Sequence, residues 1–266
     1  MPGGTWQTLP GPAGPLMVHV SGGAPATSAP AGPAAASAAA GPASAVVLVH
    51  DFPLEEQSAG RTGRSLPVLA DRLAAESGWR VIAGCLRGVG GSAGDFSLCG
   101  WLEDLAALAG HAAGLAAGGG VWMVGFGVGG SLALCLAAAD PRVRGVGCLG
   151  SPATLAGWGE EPEAMAGLAR RVGVITSPGF PADLRRWAGE FGTLRPVVAA
   201  GSLEGRSVLV VQGAEDDDVP VSDARALAEA VGGRAELRVL PGAGHRLRAD
   251  PRAMALLVGW LERQLP

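Results

Sequence analysis

The chain has 266 residues, 48% hydrophobic and 17% charged, and its 24 acidic against 20 basic side chains leave a formal charge of −4. Every basic residue is Arg, and Lys, Tyr and Asn do not occur, which excludes a Schiff-base lysine, a tyrosine acid and N-linked glycosylation. The apolar share supports a substantial core and rules out disorder of the whole chain, while so small and unclustered a charge gives nucleic acid or an anionic membrane no handle.

The start of the chain, Met1-Pro2-Gly3-Gly4, has neither a basic n-region nor an apolar h-region. Gly, Pro or a charge interrupts each apolar run before the ~18 to 20 residues that a membrane span requires. A cytoplasmic protein is expected, with no membrane partner, and the pattern carries no signal for an oligomeric state. Cys85, Cys99, Cys135 and Cys148 are scattered without a C-x-x-C pair, so they read as reduced thiols and no metal site is expected from them.

In chain order, residues 5–9 and 17–20 are β-rich runs joined through Pro-Gly turns, which predicts an antiparallel hairpin within residues 1–20. Residues 21–44 are almost wholly Ala, Gly, Pro and Ser. Such a stretch has no large side chain to offset its ordering entropy, and it reads as a disordered insertion. From residue 45 to 266, strands at 45–50, 80–83, 121–126, 143–149, 207–212 and 235–240 alternate with helical stretches, the signature of a parallel sheet with crossover helices. Residues 66–77 read as a helix. Trp101, Leu105, Leu108, Ala112 and Leu115 make one apolar stripe, and Ala253, Leu256, Leu257, Trp260 and Leu261 make another. Residues 152–205 break the rhythm with helices around 163–171 and 182–190, and they are expected to form a lid over the carboxyl edge of the sheet. Trp158, Phe180 and Trp187 are candidates either to line a ligand cavity or to form the lid's own small core.

The run Val121-Trp122-Met123-Val124-Gly125-Phe126-Gly127-Val128-Gly129-Gly130-Ser131 is a strand, a knot of glycines and a helix start. That is the setting of a G-x-S-x-G nucleophile elbow, with Gly127 at the nucleophile's place. Downstream, a β-run precedes Gly213-Ala214-Glu215-Asp216-Asp217-Asp218-Val219-Pro220, and another precedes Pro241-Gly242-Ala243-Gly244-His245. With these landmarks the chain from about residue 45 onward resembles the α/β-hydrolase superfamily, in particular its serine-esterase and peptidase-like branches. The resemblance implies an α/β fold with a mostly parallel central sheet flanked by helices and a small helical lid between the sixth and seventh strands. It implies Asp216 as the acid and His245 as the base of a dyad. It also places His50-Asp51-Phe52-Pro53 at the family's oxyanion loop, with the Phe52 and Val128 amides as oxyanion donors. Asp51 stands there in place of Gly, and Pro53 has no N–H to lend. His50 and Asp51 are further candidates to line a ligand. Arg87-Gly88-Val89-Gly90-Gly91-Ser92 resembles the family's R-G-x-G-x-S turn and is given a structural role.

The missing side chain decides the expected function. Acyl transfer needs a hydroxyl, thiol or carboxylate at the elbow, and Gly127 supplies none. Ser131, Cys85 and Cys99 are weak surrogates, read instead as a helix-start polar group and small buried residues. The acidic run 215–218 lacks the alternating ligands of a calcium loop, so neither metal nor cofactor is expected. The sequence therefore predicts a non-classical or pseudo-hydrolase that binds a small organic ligand. The alternative is an enzyme that uses His245, oriented by Asp216, as a general base on water or substrate.

Overall fold

A computed structural model describes residues 3–22, 44–63, 65–116, 118–203 and 205–265. Apart from its two ends, the insertion expected at 21–44 lies outside the described residues. The strands are β1 (Thr5–Gly11), β2 (Gly14–Ser21), β3 (Ser44–Val49), β4 (Arg80–Gly84), β5 (Gly120–Phe126), β6 (Val143–Leu149), β7 (Ser207–Gly213) and β8 (Ala235–Leu240). They form one sheet in the order β1-β2-β4-β3-β5-β6-β7-β8. The β1–β2 and β2–β4 pairs are antiparallel and all others parallel. Every expected strand lies inside an observed one except at residue 50, which has already left the sheet.

The helices are α1 (Ala59–Thr62), α2 (Leu66–Ser77), α3 (Leu98–Leu115), α4 (Val128–Ala139), α5 (Pro162–Val172), α6 (Leu184–Thr193), α7 (Pro196–Gly201), α8 (Val221–Val231) and α9 (Pro251–Glu262). Their ends follow local chemistry. Gly78 closes α2 in the left-handed conformation at φ 71°. The Ser97 side chain accepts the Gly100 N–H to open α3, and the Asp183 and Asp250 carboxylates accept the Arg186 and Arg252 amides to open α6 and α9.

β3 is buried along its whole length, so its Ser-Ala-Val-Val-Leu-Val run serves two cores. Val47 and Val49 join Trp101, Leu105 and Leu108 of α3 on one face, while Val46 and Leu48 join Leu66 and Leu73 of α2 and Trp260 of α9 on the other. Continuous apolar strands are what a sheet covered on both faces requires. The chain runs from β3 to β4 on one side and then crosses to β5 on the other. The carboxyl end of β3 is therefore the switch point at which a doubly wound sheet opens a crevice.

The segment between β6 and β7 carries α5, α6 and α7 and packs into the main core. Trp187 donates its indole N–H to the Phe96 carbonyl at 3.0 Å, and its ring meets Phe191 at a centroid distance of 5.0 Å. Trp158 stacks edge-on against Phe52 at 5.1 Å, and Phe180 is only partly buried at the rim of the same cluster.

The turn at residues 87–92 fastens β4 to α3. Asp104, fully buried, accepts the Arg87 amide at 2.8 Å and the guanidinium at 3.0 and 2.8 Å. Ser92 donates to the Cys85 carbonyl at 2.6 Å and accepts from the Met17 amide at 2.9 Å, tying the turn to β2. Removing one partner of a buried ion pair strands the other, so Asp104→Ala is expected to lower stability by about 3–5 kcal/mol, read by urea unfolding.

Candidate functional site

β5 delivers the chain into a sharp turn whose apex, Gly127, has φ 51° and ψ −126°. Glycine reaches this region without penalty, whereas an L side chain there is strained. The neighbouring glycines answer to backbone packing. A Cβ at Gly125 would strike the amide of Gly130, and one at Gly129 the carbonyl of His50. At Gly127 the obstacle is different, because a Cβ would fall inside the carboxylate of Asp51.

Asp51 follows β3 across the crevice and turns its side chain into the space above Gly127. Its Oδ1 accepts the Phe52 amide at 2.7 Å and the Val128 amide at 2.9 Å. These are the two N–H groups that the family resemblance assigns to a substrate oxyanion. Its Oδ2 lies 2.8 Å from His245 Nε2. In the sequence alone Asp51 is a departure from Gly and a candidate to line a ligand. The signal for its position was a pair of changes, a side chain lost at 127 and one gained on the facing loop at 51.

His50 sets the backbone of that loop. It is fully buried, and burial lowers its pKa to about 4, against opposing hydrogen-bond and charge effects of Asp51. Neutral His50 accepts the Leu86 amide on Nε2 at 3.1 Å. Its proton therefore sits on Nδ1, which donates to the Asp51 carbonyl at 2.8 Å. His50 points into the fold and does not line the cavity described below.

The expected dyad is brought together. His245 Nδ1 lies 2.9 Å from Oδ2 of Asp216, whose side chain has no solvent exposure. Asp216 is fixed by the Asp218 and Val219 amides on Oδ1, at 3.0 and 2.9 Å, and by Gln212 Nε2 on Oδ2, at 2.8 Å. The imidazole is thus held between two carboxylates. The hydrogen bond to Asp51 is the largest cause that raises its pKa to about 9; burial opposes this, and the Asp51 charge and Asp216 reinforce it. At neutral pH His245 is an imidazolium that donates from both ring nitrogens.

Asp216, Asp218 and His245 are the one group among the described residues with ligand atoms close enough for a cation, within 4.8 Å of one another. The Asp216 oxygens already accept amide, carboxamide and imidazolium donors, so their lone pairs are spent. Ser131 donates to the Pro152 carbonyl at 2.6 Å, away from the site. Burial pushes the Cys85 thiol up to about 12 and raises Cys99 as well, which leaves neither as a thiolate.

A cavity of about 390 Å³ opens over Asp51, Gly127 and His245, within the size range of small-molecule sites. Phe52, Leu54 and Phe126 give it apolar wall, and Arg61 and Arg248 give it positive charge. Trp158, Phe180 and Trp187 do not line it. Its walls include Asp51, Phe52 and residues 245–249, and Phe52 also meets Trp158 of the aromatic cluster.

No protein-family model matches the chain, and no curated protein matches it. Solved structures do. XC6422 from Xanthomonas campestris, an α/β serine hydrolase without a lid, is 21% identical with a TM-score of 0.61 over 100% of this chain and 97% of its own. A variant of the meta-cleavage product hydrolase CumD from Pseudomonas fluorescens IP01 is 21% identical, with a TM-score of 0.63 over 97% of each chain. An α/β serine hydrolase homologue from Coxiella burnetii is 18% identical, with a TM-score of 0.61 over 100% and 99%. With the sheet order above, these matches show that the chain has the α/β-hydrolase fold.

The charge state of His245 is directly measurable. Because its folded pKa is raised, its contribution to stability is complete below the unfolded value near 6.5 and is lost as pH rises through about 9. The imidazole resonances of His245 are expected to titrate near 9 in NMR. In Asp51→Asn the midpoint is expected to fall toward the ordinary range, and the alkaline loss of stability to shrink with it.

Proposed function

We propose that this is a non-classical α/β-hydrolase-fold protein that does not hydrolyse carboxylic esters through an acyl-enzyme, and that it holds a small organic molecule in the cavity over Asp51 and His245. The observation that carries this reading is the Asp51 carboxylate seated on the Phe52 and Val128 amides. A carbonyl substrate would find no nucleophile on Gly127 and no donors left for its oxyanion. The rival use of His245 and Asp216 as a resting general base needs a neutral imidazole. With a pKa of about 9, roughly one molecule in a hundred is neutral at pH 7.

The test is turnover of short-chain p-nitrophenyl esters. Wild type is expected to be silent. Gly127→Ser alone is expected to stay silent, because its Cβ meets the Asp51 carboxylate. The double variant Gly127→Ser with Asp51→Gly, which clears the amides and restores a hydroxyl beside His245, is expected to gain activity. Ester turnover by wild type that is lost in His245→Ala would overturn the proposal.

A further inference from the structure

We propose that the molecule held in the cavity is an amphipathic monoanion, an apolar body that ends in a carboxylate, and that Arg248 and Arg61 hold its head group at the cavity wall. The inference rests on the reading above that the cavity holds a small organic molecule, and it names that molecule's chemical class.

The chain as a whole is acidic, with a formal charge of −4, and the cavity is not. Its charged lining among the described residues is Asp51, Glu55, Arg61, His245, Arg246 and Arg248. His245 carries its proton at neutral pH, so four cations line the cavity with two carboxylates. Both carboxylates are committed, Asp51 to His245 and Glu55 to Arg246. Asp216 holds the other nitrogen of the His245 ring without lining the cavity. Four cations against these three carboxylates leave one positive charge over, which a single carboxylate head group balances.

The donors of the lining decide where that head group sits. The Phe52 and Val128 amides are taken by Oδ1 of Asp51, and His245 donates to Asp51 and Asp216. The three hydroxyls are spent on carbonyls. Ser58 donates to Glu55, Thr62 to Ser58 at 3.0 Å, and Ser65 to Thr62 at 3.3 Å. Among the described residues the guanidinium groups of Arg61 and Arg248 have neither a carboxylate partner nor a hydrogen-bond acceptor, whereas Arg246 is paired with Glu55. A planar guanidinium matches a carboxylate with two parallel N–H donors. Arg248 is exposed as a residue, yet the protein takes part of the water from its head group: burial lowers its pKa, the Asp51 charge opposes this and Arg246 adds to it. A cation with reduced hydration and no acceptor is unfavourable, and an anion seated on it relieves that cost.

The apolar body has its own wall. Phe52, Leu54 and Phe126 line the cavity, and Leu54 is 52% exposed, apolar surface that an alkyl or aryl group would remove from water. The carboxylate is therefore held by the loop after β8 and by α1, while the amides of the elbow stay with Asp51.

The probes are hexanoate, hexanamide, hexylamine and hexyl phosphate, titrated into the full-length chain by calorimetry at low ionic strength. Hexanoate is expected to bind about tenfold more tightly than hexanamide, with hexyl phosphate no tighter than hexanoate and hexylamine weakest. Added salt is expected to shrink the hexanoate advantage and leave hexanamide unchanged. Arg248→Gln is expected to remove most of that advantage and Arg61→Gln part of it, with hexanamide affinity retained in both. Arg72→Gln removes an equal charge from α2, where Arg72 pairs with Glu76, and is expected to change neither ligand. Equal affinities of hexanoate and hexanamide in wild type would overturn the anion proposal and leave the binding reading standing, and that comparison depends on no variant. A hexanoate advantage that survives the double variant Arg61→Gln with Arg248→Gln would overturn it as well, and tighter binding of hexyl phosphate would overturn the monoanion class. If none of the four binds, the anion proposal falls. The binding reading is judged apart from it, by the ester assay: p-nitrophenyl ester turnover that is lost in His245→Ala overturns that reading whatever hexanoate does.

Discussion

The carboxylate of Asp51 is the group on which the site's arrangement depends. It accepts the Phe52 and Val128 amides on one oxygen and His245 on the other. Val128 is the first residue of α4, so the anion also lies at a helix N-terminus, where the aligned peptide dipoles favour negative charge. Charge-assisted hydrogen bonds contribute about 1.5–3 kcal/mol each when the groups are held in place. That holding is done by His50, whose neutral ring pins the Asp51 carbonyl from inside the core.

This interaction reaches outward through His245. A ring between one fully buried carboxylate and one partly exposed carboxylate carries its proton well above neutral pH. The site therefore rests with an imidazolium between two carboxylates, and both carboxylates favour its charged form. Neutralising Asp51 releases the imidazole from one side only. Asp216, held by its amide and carboxamide donors, orients the ring from the other side.

The fold was legible in the sequence because the strands are short β-rich runs separated by helical stretches, and the helix at 66–77 is followed by its closing glycine, Gly78. The helices α7 and α8 were not read out. α7 is a six-residue turn opened by Pro196, too short for a periodic signal. α8 is rich in Ala and charge and buries only Ala224 and Leu227. The dyad was legible because two motifs with preceding β-runs mark Asp216 and His245. The three aromatics of 152–205 were ambiguous because a tryptophan beside a sheet edge has the same local pattern whether it faces a cavity or a core. Trp187 is settled by its bond to the Phe96 carbonyl, a partner far away in sequence. The place of Asp51 was hidden for the same reason: its meaning lies in a contact with residue 127 through space, and read alone it is a substitution for Gly.

The persistence of the elbow's glycines follows from packing alone. Gly129 lies against the His50 carbonyl and Gly125 against the start of α4, so a side chain at either position collides with backbone whatever chemistry the site performs. A strand that turns sharply into a helix beside β3 needs those glycines in an active esterase and in a chain with nothing at its apex. The flanking residues of a G-x-S-x-G pattern thus report the turn, and only the central residue reports the reaction. In this chain the central residue is Gly127, and the Asp51 carboxylate of the facing loop lies over it and accepts the Phe52 and Val128 amides.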